Sequence, residues 1–449
     1  MPAEYLSRDE AHALAERALS FSSAEQARVT INSSSAGNTR FAVNQISTSG
    51  EVTNTTVTIT SAIGRRVASS STNRLEDESL RAAVETSERL ARLSPEDPEY
   101  LGELEPIAVP EQDGVVESTA NLSPDARAAA VAEVTGPAAQ RDLVSTGFLI
   151  HATGSTAVLN SKGHFAYRAQ SNANFTTTVR TPDGTGSGWA GTGLFDWNEL
   201  DARRLAETAI DKAVRSREPR AVEPGRWTTI LEPTAVANMV GLMMSALSAR
   251  SADEGRSYFA RPEGSNAIGE KFLDDRVTIW SDPTDPRLLS TPFNGEGLPN
   301  RREVWVENGT LNNLVYDRFW AERQQKQPTG FVSGYSMEGG DASLDEMIAS
   351  TQRGLLVTRF WYIRGVDPRT ILFTGLSRDG TFLIENGRVS YPVKNLRWNE
   401  SPVFMLNSIE AIGAPMRVSP SESSGLSPAV IVPPLKVRDF TFTSLSDAV

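Results

Sequence analysis

The chain has 449 residues, with 44 Lys and Arg against 56 Asp and Glu, a formal net charge of −12 and no cysteine. These numbers exclude disulfides, thiolate metal sites and cysteine nucleophiles. They also argue against a nucleic-acid groove or an anionic membrane surface as partner, and the length suits two or three domains, each with its own core.

The first predicted element is a helix opening at Ser7. Ser7 with Glu10 three residues on is a capping-box pattern, and Ala11, Leu14, Ala15, Ala18 and Leu19 form the apolar stripe. This charged amphipathic start does not read as a signal peptide. β-Branched content and alternation predict strands at ARVTINS, TRFAVN, NTTVTITSA and RRVASSS. A helix over residues 76–93 follows, with Leu80, Val84, Ser87 and Ala91 on one face, and Pro95 and Pro98 end it. Past a Pro-rich irregular stretch, Ser123 caps another helix with Pro124 at its first position. STGFLIHAT, STAVLNS, HFAYRAQS and NFTTTVRT then read as an antiparallel meander. DWNELDARRLAETAIDKAVRSRE is an amphipathic helix, with Ala206, Ala209, Ile210 and Ala213 in register. The charged stretch 217–226 reads as a boundary, dividing the chain into domains 1–220 and 221–449.

The second half opens with the strand RWTTIL and the stretch LEPTAVANMVGLMMSALSAR, a helix over residues 233–250 that is apolar nearly all round. It is too short to span a bilayer, and the expected compartment is the cytoplasm. Strands are predicted in RVTIW, EVWVENGTLNNLVYD, GLLVTRFWYI, TILFTGL and TFLIENGRVSYPV. Asn308-Gly309 and Asn386-Gly387 supply the positive φ of tight hairpins. A proline-rich tail from Pro415 to Pro434 precedes a last strand, KVRDFTFTS. The expected fold class is α+β: a mixed α/β N-terminal domain, then a mostly antiparallel β domain around a buried helix. No solenoid-type repeat is visible.

Motifs for chemistry are sparse. Of the three histidines, His12 is expected at the surface, His151 as a satisfied core or sheet-face residue and His164 exposed in a turn; no two stand at metal-ligand spacing. There is no G-x-S-x-G elbow and no Walker A sequence. Gly186, Gly188 and Gly191 fit G-x-G-x-x-G only literally, without the strand–turn–helix context, and read as a mobile loop. Asp274-Asp275 and the SDPTDP stretch read as turns. On physics alone, the apolar helix is a buried helix whose methionines fill irregular gaps.

Taken together, TRFAVNQIS, LEPTAVANMVGLMMSALS, AIGEKFLDDRVTIWSDP, ENGTLNNLVYDRFWAERQQKQPTGF, the stretch from GLLVTRFWYIRGVD through NGRVSYPVKNLRW, and MLNSIEAIG resemble the TldD/PmbA family of zinc-metallopeptidase-related proteins. The resemblance runs in consistent order over nearly the whole chain. In the family's peptidase subunits the helix after the LEP strand carries His-Glu-x-x-x-His, two imidazoles for zinc and a glutamate for the bound water. A cysteine near the C-terminus completes that site. Carried onto this chain, the histidine positions fall near Gly241 and Ala246 and the glutamate near Leu242, and the cysteine falls in SPSESSGLSP, which has none. Gly, Leu and Ala cannot hold zinc or move a proton.

The resemblance therefore implies a TldE-like, non-catalytic member. It would carry no zinc of its own and would pair with a TldD-like zinc peptidase subunit, or with itself, around an extended peptide. Tyr316, Phe319, Trp320, Phe360, Trp361 and Tyr362 are candidates for the cavity or the subunit interface, and the loop 184–193 would shape it. Altered, non-zinc chemistry on a peptide-like natural product, or a homodimeric peptide-binding scaffold, are the alternatives.

Overall fold

The computed structural model describes residues 4–419 and 429–446. Helix α1 (Arg8–Leu19) starts with the expected capping box, Ser7 and Glu10 each satisfying the other's backbone N–H. Strands β1 (Gln26–Ala42), β2 (Gln45–Ile63) and β3 (Arg66–Thr72) form an antiparallel meander, and α2 (Asp77–Leu93) returns over it. The same order then recurs: α3 (Pro124–Gln140), β4 (Val144–Asn160), β5 (Phe165–Arg180), β6 (Ser187–Leu194) and α4 (Ala202–Arg215). The two αβββα units join edge to edge through antiparallel β1 and β4, giving the strand order β3-β2-β1-β4-β5-β6.

This tandem arrangement leaves no mark in the sequence as a repeat. The strands are also longer than their apolar stretches predict. β1 and β4 each run through a polar Ser/Asn/Gly middle that reads as a turn, because strands on both sides saturate the backbone there. In β1, β2, β4 and β5 odd-numbered residues make the helix-covered face. Val29, Ile31, Ala157 and Leu159 pack against α1 and α2 at one end, and Leu149, Phe175 and Val179 pack against α3 and α4 at the other. All four helices therefore cover one face of the sheet.

In the second half β7 (Gly225–Leu231), β8 (Arg353–Asp367), β9 (Leu372–Glu385), β10 (Leu396–Glu400) and β11 (Leu435–Leu445) pair in a closed ring, β8-β7-β11-β10-β9-β8. Only the β7–β8 pair is parallel. Phe360 fills the barrel, 4.9 Å from Trp398 and stacked at 5.5 Å on Phe440. Both Asn-Gly pairs sit in hairpin turns with positive φ at each residue. Helix α5 (Pro233–Ser245) follows β7 and packs on β8 and on strands Met416–Val418 and Val430–Val432 of a second, six-stranded sheet. The class is α+β, and no helix among the described residues is long and apolar enough to cross a membrane.

Candidate functional site

Helix α5 begins because Pro233 occupies its first position with Glu232 as the extended cap residue. The Glu232 carboxylate does not cap. It accepts from Lys212 Nζ of α4 at 2.6 Å and from the Thr358 hydroxyl of β8 at 3.4 Å, tying the two halves of the chain together. The helix stops at Ser245, short of residue 250. Val315 intervenes, donating its N–H to Leu247 O and accepting that of Ala249, and Ser248 then caps a separate short helix, Ala249–Asp253. Tertiary pairing has overridden the apolar pattern.

Seven residues of α5, from Ala235 to Met244, are buried, and all three methionines of the helix are among them. A partly open stripe remains, made by Thr234, Asn238, Gly241, Leu242 and Ser245. Positions 234, 238, 241 and 245 share a helix face. Gly241 and Leu242 thus lie on the open stripe, and Ala246 is the cap residue at its end.

The donor set does not fit zinc. The stripe holds hydroxyls, one amide and carbon, where zinc needs imidazole, thiolate or carboxylate. The amide oxygen of Asn238 is buried without a partner, and a single neutral oxygen is no ligand set. Tyr335, just before the Ser336–Met337 strand of the second sheet, lies beside Gly241, its hydroxyl donating to Ala237 O at 3.1 Å, and burial pushes that phenol's pKa up, so it stays neutral. Among the described residues, no group of three or more His, Asp or Glu side chains could share a metal ion. The stretch SPSESSGLSP lies, beyond its first residue, outside the described residues. Sequence reading missed Lys212, Glu232 and Tyr335; the Glu-Pro pair before the helix was the one local signal for the first contact.

His164 is not exposed. It is fully buried, accepting the Ile107 N–H at Nδ1 and contacting Gly297 O at 2.8 Å through Nε2, which requires the proton on Nε2. It pins the irregular stretch after α2 to the second half. His12 is half-buried, edge-on to Phe165 at 4.6 Å. His151 lies on β4 beside the buried Arg127, whose Nη1 is 2.9 Å from its Nε2. Burial, then the Arg127 charge, bring the His151 pKa down to about 4.

The glycine-rich stretch is not a mobile loop either. Ser187–Leu194 is strand β6, and a Cβ on Gly188 would lie 2.2 Å from Ala209 O of α4. These glycines let a helix lie directly on a strand. Asp274 and Asp285 pair with Arg276 and Arg287 in turns, as expected. Of the six aromatic candidates, Tyr316, Trp320 and Phe360 are core residues. Phe319 and Trp361 are partly buried, and Tyr362 is 50% exposed.

Comparison with known proteins adds to this geometry. Residues 89–217 match the PmbA/TldA metallopeptidase central domain, and residues 224–444 match the PmbA/TldA metallopeptidase C-terminal domain. A metalloprotease of Methanothermobacter thermautotrophicus is 25% identical over 287 residues, 59% of this chain and 61% of that protein. Metalloprotease PmbA of Escherichia coli O157:H7 is 24% identical over 226 residues, 48% of each by cover of this chain and of that protein. The chain thus matches less than two thirds of the length of either relative. In fold, TldE from Thermococcus kodakarensis superposes with a TM-score of 0.83 at 19% identity, over 96% of this chain and 99% of that one.

Proposed function

Because the chain belongs to the PmbA/TldD metallopeptidase family, we propose that it serves there as a zinc-free, TldE-like subunit beside a zinc-bearing sister subunit, in the cytoplasm, acting on unfolded peptides. One observation carries this reading: the open stripe of α5 offers Asn238, Gly241, Leu242 and Ser245 where the family's peptidases would need two imidazoles and a carboxylate. The likeness of the fold to TldE supports it. No proton or metal step can be assigned to this chain's helix, so its contribution is to shape and close the peptide's cavity. An extended peptide held through backbone hydrogen bonds needs little sequence recognition from either subunit.

Native mass spectrometry in zinc-containing buffer tests this, on the chain alone and mixed with a sister chain bearing His-Glu-x-x-x-His. The expected result is a metal-free chain alone, a zinc-loaded complex on mixing, and cleavage of an unfolded peptide only by the mixture. Stoichiometric zinc on the isolated chain together with peptide cleavage sinks the reading. A homodimer that ignores every sister chain replaces it with the scaffold reading.

A further inference from the structure

The face of the N-terminal sheet opposite its four helices carries two cavities. The one between sheet and barrel, of about 520 Å³, is lined by arginines that are already engaged, Arg359 among them, which donates to Asp379 at 2.6 Å. The other, of about 350 Å³, lies between β5 and two segments of the second half, residues 288–291 and 331–333. Every second residue of β5 from Arg168 lines it: Arg168, Gln170, Asn172 and Asn174. Successive side chains of a strand point to opposite faces, so these four form one row on the side away from the helices, with steps of about 7 Å.

A guanidinium without a counter-charge heads the row. Arg168 Nη1 donates to Gln170 Oε1 at 2.9 Å, and Nε is buried with no partner. Among the described residues Arg168 has no other hydrogen bond and no carboxylate beside it. Burial lowers its pKa, and no neighbouring charge adds to that or opposes it. The chain treats its other buried guanidinium groups differently: Arg359 has Asp379, and Arg127 has Glu51. Leaving a cation half-buried with one neutral amide is costly, and an incoming anion relieves that cost.

The rest of the row is made of primary amides. Gln170 keeps its NH2 free once Oε1 has accepted from Arg168, and Asn174 Nδ2 donates to Ser419 Oγ at 3.1 Å. The Asn172 side chain makes no hydrogen bond among the described residues. Each amide offers donors and an acceptor, and they recur at the two-residue repeat of an extended chain.

The opposite wall holds the matching irregularities. Leu289 has a φ of 44°, left-handed backbone that a bulky residue adopts only where its surroundings force it. Ser290 is 5% exposed, and its hydroxyl is buried without a partner. Leu289, Phe331 and Phe195 give this side an apolar surface, and Phe331 is 44% exposed. Packing the two halves together needs neither a lone guanidinium nor a strained leucine, since apolar residues would fill both walls.

We propose that this cavity binds the carboxylate of an extended peptide, seated on Arg168, with the peptide's amides along Gln170, Asn172 and Asn174 and an apolar side chain against Leu289 and Phe331. A guanidinium fork matches a carboxylate, and amide side chains at strand spacing match a peptide backbone without reading its sequence. The carboxylate is either the C-terminal one or that of an acidic side chain. The site contains no residue of α5, and its peptide is read from the amide row, so this binding and the zinc-free reading of that helix can each fail alone.

The test is calorimetric titration of the full chain, without zinc or a sister subunit, with four probes. They are N-acetyl-Ala-Ala-Ala-Leu with a free carboxylate, the same peptide as its C-terminal amide, the amide-capped N-acetyl-Ala-Asp-Ala-Leu, and benzoate. One of the two acidic peptides is expected to bind saturably, at least about tenfold tighter than the neutral peptide and more weakly as salt rises. Preference for the free acid assigns a peptide C-terminus, and preference for the aspartate peptide assigns an acidic side chain. Benzoate, which lacks the amides, should bind at least about tenfold more weakly than the better peptide. Arg168→Gln should erase most of the gap between acidic and neutral peptides. Asn172→Ala should weaken both by about two- to fivefold, and it keeps the test open if Arg168→Gln does not fold, because the Asn172 amide holds nothing in the free chain. No saturable binding, equal binding of acidic and neutral peptides, benzoate binding as tightly as the peptides, or full affinity in every folded variant overturns the assignment.

Discussion

Helix α5 and the wall formed by β8 and β9 are parts of one barrel domain, yet they treat polar chemistry in opposite ways. The open stripe of α5 is made of side chains that cost little to leave half-covered, and its buried side is aliphatic and Met-rich. The wall buries a carboxylate with a guanidinium, stacks arginines on indoles and holds two non-glycine residues in left-handed backbone. The buried ion pair and the left-handed backbone are expensive for folding, and the arginine–indole contacts offset only part of that. Where the family resemblance points to chemistry, this chain offers inert carbon. The concentrated charge stands elsewhere, on the face toward the N-terminal sheet.

The largest predicted effect bears on whether the wall serves stability. Replacing Arg359 by Met leaves Asp379 buried without its main partner and should destabilise by about 3–5 kcal/mol in chemical denaturation. Replacing both, as Arg359→Met with Asp379→Asn, should restore most of that, because a neutral amide removes the stranded charge and Asn tolerates the left-handed backbone at position 379. A double variant as unstable as the single one would mean the ion pair is there for stability, and the contrast with α5 would lose its force.

Acid sharpens the same point, because two buried groups titrate in different windows. The folded pKa of His151 is about 4, below its unfolded value of about 6.5. The folded state therefore resists the proton, and stability falls as pH drops from about 6.5 to about 4, by roughly 3 kcal/mol at most. Burial works to raise the Asp379 pKa, but the Arg359 charge and the Ser187 and Arg359 hydrogen bonds leave it below the ordinary carboxylate range. Its contribution is present above about pH 4 and is lost only as pH falls further, through its folded pKa. His151→Asn should flatten the upper part of the profile and leave the lower part in place. A wild-type stability that does not change between pH 7 and pH 4.5 would contradict the His151 assignment.

Next in size is Gly188. A Cβ there would lie 2.2 Å from Ala209 O and 2.5 Å from Ala213 N, both backbone atoms that cannot swing aside. Gly188→Ala should destabilise by about 1–3 kcal/mol.

That glycine also shows what the sequence could and could not reveal. Element type was legible wherever local chemistry decides it: the Ser7–Glu10 box, the Ser123-Pro124 start and the two Asn-Gly hairpins are all formed. The β-rich second half and its buried helix were legible from apolar pattern. What was not legible depends on contacts distant in sequence. Gly186 and Gly188 read as a loop because nothing local says that α4 lies on them. His164 read as exposed because its partners, Ile107 and Gly297, are far along the chain. The end of α5 at Ser245 is set by Val315. The candidate helix could be found from resemblance, whereas the cavity between sheet and barrel is assembled from β1, β4, β5, β6, β8 and β9 and has no signature in any one stretch.

The smallest effect concerns the open stripe itself. Gly241 has ordinary helical backbone inside α5, and a Cβ there would lie 3.4 Å from the Tyr335 hydroxyl, the edge of normal contact. A mid-helix glycine costs roughly 0.5–1 kcal/mol relative to alanine. Gly241→Ala should therefore raise stability by up to that amount, a shift of a few degrees or less in thermal unfolding. If folding alone governed the stripe, that would be the whole effect. If the stripe lies against a peptide or a sister subunit, the added methyl should stabilise the free chain and weaken complex formation in the same protein. Measuring unfolding and association side by side separates the two. A variant that is more stable and assembles as well as the wild type would leave Gly241 with no role at an interface.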